Sequence, residues 1–191
     1  MYAAGSDPYC YPGSTVLVNL AGLRDGAALE AFEFALSRER ATQPLPAGRC
    51  GITHYRAIHR HLFQDVYAWA GTYRTVRISK GGSTFCYPEH IASEMRRLFG
   101  ELRGRRHLRG LAAGDFSAAA AHFLAELNAI HPFREGNGRS QMVFFALISD
   151  RAGHRLRLDR LDPTAFLEAM VASFDGHEGP LSVAISDLIR P

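Results

Sequence analysis

The feature that most constrains this chain is a nine-residue loop, HPFREGNGR (131–139), set between two apolar stretches with helical patterning. The preceding stretch, FSAAAAHFLAELNAI, is rich in alanine and leucine and reads as a strong helix beginning at Asp115 or Ser117. The following stretch, RSQMVFFALISDRAG, reads as a second buried helix stopped by Gly153. A helix, a tight glycine-containing loop and another helix together make an anion site. The second helix presents unpaired N–H groups and the positive end of its dipole. Gly136 and Gly138 let the backbone bend sharply and approach a ligand closely. Asn137 tolerates left-handed geometry and offers an amide, and Arg139 adds a planar donor fork suited to phosphate. Glu135 would repel phosphate unless it holds Mg²⁺, which binds one or two carboxylates together with substrate phosphates. His131 can then act as general base on a hydroxyl that attacks the phosphate. Phe133 reads as the anchor that pins the loop to the core. These are the parts of a phosphoryl or nucleotidyl transfer site.

The rest of the chain reads as mainly α with one β-hairpin. With 191 residues, 47% hydrophobic and 21% charged, it is the size and composition of one globular domain, 1–191. No apolar run is long enough for a membrane span, and no secretory signal pattern opens the sequence. Cys10, Cys50 and Cys86 are odd in number and widely spaced, which argues against a zinc site or disulfide framework and fits the cytosol. Asp25 is placed to cap a first helix whose apolar positions include Leu29, Phe32 and Leu36. Thr53 is placed to cap a second helix running to Gly71, and residues 16–20 read as a short extended piece. Val76 and Ile78 alternate with polar residues before Gly81 and Gly82, which gives the hairpin. Further helices are expected over residues 89–102, after Asp162 with Pro163 in the first turn, and near the C-terminus. An extended piece is expected before Asp162. His54, His59 and His61 lack metal-ligand spacing and read as ordinary core or surface residues. Arg96, Arg97, Arg103, Arg105, Arg106 and Arg109 read as a solvated or partner-docking face, because no interleaved aromatics suggest nucleic acid.

The loop HPFREGNGR resembles the signature of the Fic family, HxFx(D/E)GNGRxxR, whose members transfer AMP from ATP to protein hydroxyls. The stretch HLFQDVYAWAGTYR resembles the family's upstream helix and turn, and RISKGGSTF resembles its flap hairpin. YPGSTVLVNLAGLRD is similar to the start of short bacterial Fic toxins and of the Fic domains of secreted Bartonella-type effectors. The resemblance implies a Fic fold, a helical core around the central helix–loop–helix. It implies His131 as base, Glu135 as Mg²⁺ ligand, and Gly136, Asn137, Gly138 and Arg139 as the anion hole, with ATP as co-substrate. Lys80, Gly81, Gly82, Ser83, Thr84 and Phe85 would form the flap that docks the target. The target would be a topoisomerase subunit or a small GTPase, and the protein would act in the cytoplasm or after secretion into another cell. Met142 stands where the family has its second arginine, the γ-phosphate ligand. No (S/T)xxxE(G/N) inhibitory motif is present; residues 173–179 come close but carry His177 in place of the glutamate. That implies a separate small antitoxin. The alternatives are a transferase using another nucleotide or phosphate-diester donor, and a weakened domain that binds a nucleotide without transfer.

Overall fold

The computed structural model describes residues 7–80 and 82–189. Seven α-helices are present among them: α1 (Gly26–Ala41), α2 (Ile52–Phe63), α3 (Pro88–Gly104), α4 (Ala113–Ile130), α5 (Asn137–Ala152), α6 (Pro163–Phe174) and α7 (Gly179–Ile189). A hairpin of β1 (Ser79–Lys80) and β2 (Ser83–Thr84) pairs Ser79 with Thr84 and Lys80 with Ser83, antiparallel. The mainly helical reading of the sequence therefore stands, with the hairpin shorter than its alternation suggested.

Local chemistry accounts for several boundaries. Asp25 Oδ1 accepts the Ala28 N–H at 2.8 Å, starting α1. Asp162 Oδ1 accepts the N–H groups of Thr164 and Ala165, and Pro163 occupies the first turn of α6. Gly153, with φ of 88°, ends α5 in the left-handed conformation.

Other boundaries depart from the sequence reading. Gly51, not Thr53, precedes α2, and the helix stops at Phe63 rather than running to Gly71. Long-range bonds override helical propensity there. The Val66 carbonyl accepts the Leu20 N–H at 2.9 Å, and His59 Nδ1 accepts the Gly71 N–H at 2.8 Å. α4 begins at Ala113, and the Ser117 hydroxyl bonds back to the Ala113 carbonyl instead of capping. The piece before Asp162 is a 3₁₀ turn at Leu158–Arg160, not an extended segment. The buried face of α1 is Leu29, Glu33 and Ser37, with Phe32 and Leu36 only partly covered.

α4 is the central element and packs against α3, α5, α6 and α7, while α2 bridges α1 and α5. Its buried alanines, Ala120 and Ala121, let neighbours approach closely. Tyr55, Phe99, Phe123 and Phe144 form an aromatic cluster at the core, with ring centroids 5.3–6.0 Å apart in the contacting pairs. The Phe133 ring joins this cluster 5.5 Å from Tyr55, so the loop between α4 and α5 is seated on the core.

Candidate active site

His131 closes α4. Its N–H donates to the Leu127 carbonyl at 3.0 Å, and its backbone is left-handed, φ 47° and ψ 62°. That conformation is uncommon for a residue with a Cβ and needs support from its surroundings. Arg74 provides it: this fully buried guanidinium donates to the carbonyls of His131 (2.8 Å) and Ile130 (3.2 Å). The imidazole stacks on Phe85 at 3.9 Å, with the rings 19° from parallel. Burial pushes the His131 pKa down to about 4, and the charges of Arg74 and Lys80 act in the same direction. The Asn128 carbonyl opposes the shift, although Nδ1 reaches no full hydrogen bond among the described residues. The ring is therefore neutral at pH 7.

The loop beyond His131 is held from below. Phe133 is fully buried and stacks on His59 at 3.7 Å. Burying such a ring contributes about 1.5–3 kcal/mol. His59 Nε2 donates to the Glu135 carbonyl at 2.9 Å while its Nδ1 accepts from Gly71, which fixes one neutral tautomer. Burial keeps this ring neutral too, with a pKa pushed down to about 4. Asn137 bonds twice to Phe133: Oδ1 accepts its N–H at 2.9 Å, and Nδ2 donates to its carbonyl at 2.8 Å. The Asn137 side chain thus closes the loop on itself and is not offered to a ligand. Any share of Asn137 in an anion site passes through its backbone amide.

Gly136 turns the chain with φ of 79°, and a Cβ there would lie 2.4 Å from two atoms of the Phe63 ring. No other residue fits. The first ladder bond of α5 runs from the Ser140 N–H to the Gly136 carbonyl, so the amides of Asn137, Gly138 and Arg139 precede it. Gly138 is exposed, which leaves its amide open to a ligand.

Arg139 does not stand free. Its Nη2 pairs with the Glu33 carboxylate, its Nη1 donates to the Ser37 hydroxyl at 2.9 Å, and its guanidinium lies 4.7 Å over the Phe63 ring. Tyr67 donates its hydroxyl to the other oxygen of Glu33. Burial raises the Tyr67 pKa, and the adjacent carboxylate raises it further, so the phenol stays a donor. Glu135 is exposed; its Oε1 accepts the Gly136 N–H at 2.8 Å and lies 3.9 Å from Arg139 Nη2. Glu33, Tyr67, Lys80, Glu135 and Arg139 border one groove of about 730 Å³ between α1 and the loop. Met142 is half-buried and packs against the core.

The hairpin lies over His131 through Phe85, which is buried and follows β2. Gly82 forms the exposed turn with φ of 87°. Gly81 falls outside the described residues. Among the described residues, no cluster of three or more His, Cys, Asp or Glu side chains could hold a metal by itself, and no helix is long and apolar enough to cross a membrane. His54 and His61 serve the backbone, reaching the carbonyls of Pro46 and Arg40. Arg97 is engaged by Glu94, Glu101 and Glu126, which reduces the positive character of the arginine-rich face. Residues 173–179 run from the last residues of α6 through the turn at 175–178 to the first residue of α7, with Gly176 at φ of 86°.

Sequence reasoning missed Glu33 and Arg74 and gave His59 no part in the site. One signal for Glu33 was available. Leu29, Glu33 and Ser37 recur every four residues, which puts a carboxylate and a hydroxyl on an otherwise apolar stripe.

Residues 50–149 match the model of the Fic/DOC family, and the chain belongs to that family. It is 49% identical to the probable protein adenylyltransferase y4lH of Sinorhizobium fredii, over 98% of both chains. It is 37% identical to the protein adenylyltransferase VbhT of Bartonella schoenbuchensis, over 96% of this chain but 39% of that longer one. Among solved structures it is similar to BepC, a VirB-translocated effector of Bartonella tribocorum with bound AMPPNP. That likeness has a TM-score of 0.85 and 25% identity, and covers 96% of each chain.

Proposed function

We propose that this chain transfers AMP from ATP to a hydroxyl side chain of a target protein, releasing pyrophosphate. The observation that carries the reading is the buttressed loop. It sets a neutral imidazole, a solvent-facing carboxylate, the free amides of a helix start and an arginine within nine residues. The relatives named adenylyltransferases and the AMPPNP-bound BepC support the same donor.

In this mechanism the target hydroxyl attacks the α-phosphorus, the bond to the bridging oxygen breaks, and pyrophosphate departs. His131 takes the hydroxyl proton on Nε2, since Nδ1 is buried. The amides of Gly138 and Arg139, at the positive end of α5, bind phosphate oxygens. Glu135 fits Mg²⁺, because a lone exposed carboxylate beside an anion site suits a cation that arrives with phosphates. Bound there, Mg²⁺ would neutralise phosphate charge. The hairpin would hold an extended piece of the target by strand addition.

The whole chain, 1–191, acts as one Fic unit in this reading, in the cytoplasm where ATP and targets meet. It is the toxin half of a pair with a small antitoxin, since the sequence carries no internal inhibitory motif. A second reading changes the donor to another nucleotide or diester. It is favoured by Met142 packing on the core and by Arg139 pairing with Glu33, which leave a third phosphate without a free guanidinium from either position.

The test is incubation with Mg²⁺, ATP labelled at the α-phosphate, and cell lysate. Wild-type protein should place an adenylyl group on protein. His131→Ala should lose about 10²–10⁴ in rate while staying folded and keeping its ATP affinity. Equal labelling by both proteins would show that another group is the base.

A further inference from the structure

Arg74 is buried to 2% exposure, and its guanidinium spans three parts of the molecule. Nε and Nη2 donate to His131 and Ile130 at the end of α4. Nη1 donates to the Val76 carbonyl at 2.6 Å on the strand leg entering the hairpin, and Nη2 to the Cys86 carbonyl at 2.6 Å on the leg leaving it. The backbone repeats the connection: the Arg74 N–H reaches the Pro132 carbonyl at 2.9 Å, and the Cys86 N–H reaches the Ala129 carbonyl at 3.0 Å. A buried cation is costly unless its donors are satisfied. Here two of the four acceptors, the Ile130 and His131 carbonyls, lie at the end of α4, the negative end of its dipole, and the other two belong to the legs of the hairpin.

We infer that Arg74 is the positioning residue that locks the base of the hairpin to the end of α4, so that His131 keeps its left-handed backbone and Phe85 stays stacked on its ring. The inference rests on the reading of His131 as the transferring base. Arg74 touches no reacting atom. It acts by joining both legs of the hairpin to the residue that takes the proton, so that target and base are registered by one side chain. Lysine cannot replace it, because an ammonium is a point donor and cannot reach four carbonyls set around a planar fork.

The experiment uses Arg74→Lys, which keeps the charge and removes the fork. Displacing a reacting group by about 1 Å costs roughly 10²-fold in rate. The turnover of α-labelled ATP into lysate protein should therefore fall by roughly that factor, while the apparent KM for ATP stays within about twofold of wild type, since α5 holds the nucleotide. A purely structural role predicts a lower melting temperature with kcat per folded molecule unchanged, and that result overturns the inference. Wild-type protein that labels nothing overturns the transfer reading itself, a different result from a variant that labels as well as wild type. If Arg74→Lys does not fold, hydrogen exchange on wild-type protein decides. The amides of Arg74, Cys86 and His131 should open as one cooperative group. Independent opening of the hairpin leg and the helix end would overturn the coupling.

Discussion

The loop at 131–139 and the hairpin at 79–84 flank the same histidine, yet they are built in opposite ways. The loop is fixed from several sides: Phe133 sits in the aromatic core, His59 holds the Glu135 carbonyl, Asn137 closes on Phe133, and Phe63 leaves room only for glycine at 136. The hairpin has two paired residues on each strand, and Ser79, Lys80 and Thr84 are exposed. A two-stranded ribbon this short is marginal alone. It is secured at its base, by Arg74 and by Phe85 on His131, while each of its strands is an edge of a two-stranded sheet. The contrast suits the two tasks proposed for them. A site that stabilises a transition state must be formed before the substrate arrives. A surface that accepts an extended chain of varied sequence gains from staying open on one edge.

The contrast is broken most severely at Gly136. A methyl group there meets the Phe63 ring at 2.4 Å, on a backbone with positive φ. Gly136→Ala should cost about 1–3 kcal/mol of stability through strain and overpacking. It should also remove labelling by more than about 10²-fold, because the start of α5 moves with it. Calorimetry and the labelling assay check both parts. A variant with wild-type melting temperature and rate would mean that the loop is less tightly held than its packing indicates.

The hairpin should respond differently. Gly82 also has a positive φ, but nothing lies within 4 Å of the place a Cβ would take. Proline fixes φ near −65° and cannot make this turn. Gly82→Pro should reduce protein labelling about tenfold by spoiling the strand edge, with ATP affinity unchanged, since the proposed nucleotide contacts belong to the loop. Isothermal titration with AMPPNP and Mg²⁺ beside the labelling assay separates the two. Parallel loss of nucleotide binding would tie the hairpin to the donor and not to the target.

What could be read from the sequence follows the distance over which each part is assembled. The motif was legible because its chemistry is contiguous, nine residues between two apolar helices. The caps at Asp25 and Asp162 were legible because each acts within three residues. The supports were not. His59 reaches Glu135 across 76 residues, Arg74 reaches His131 across 57, and Glu33 meets Arg139 across 106. No local pattern encodes such pairs, because they depend on helix packing. The end of α2 was misjudged for the same reason: Phe63 is followed by no helix breaker, and the chain leaves the helix to supply Val66 to Leu20 and Gly71 to His59. Asn137 shows the limit in another form. Its amide suits a ligand by type, and its geometry spends it on Phe133.

The smallest expected effect is the most informative about Arg139. Its partner Glu33 has a side chain only 9% exposed, receives the Tyr67 hydroxyl, and belongs to α1, outside both loop and hairpin. Two roles are physically distinct. As a counter-ion, Glu33 lowers the positive potential that α5 and Arg139 present, and a phosphate must compete with it. As a support, it holds the guanidinium where a phosphate will meet it. Glu33→Gln keeps the size and removes the negative charge; its one carbonyl oxygen can still accept from Arg139, while its NH2 faces the Tyr67 hydroxyl, which must turn to accept. If the charge opposes phosphate, ATP should bind about fivefold more tightly, the equivalent of roughly 1 kcal/mol for a partly exposed ion pair. The gain should shrink as salt is raised, because screening reduces the potential being released. If support is the larger part, affinity falls and the salt dependence is lost with it. Titration of AMPPNP with Mg²⁺ at two ionic strengths distinguishes the two. A tightened, salt-sensitive interaction would show that the rigid loop is held partly switched off by a residue of α1, whereas weakening would make α1 one more wall of the same preformed site.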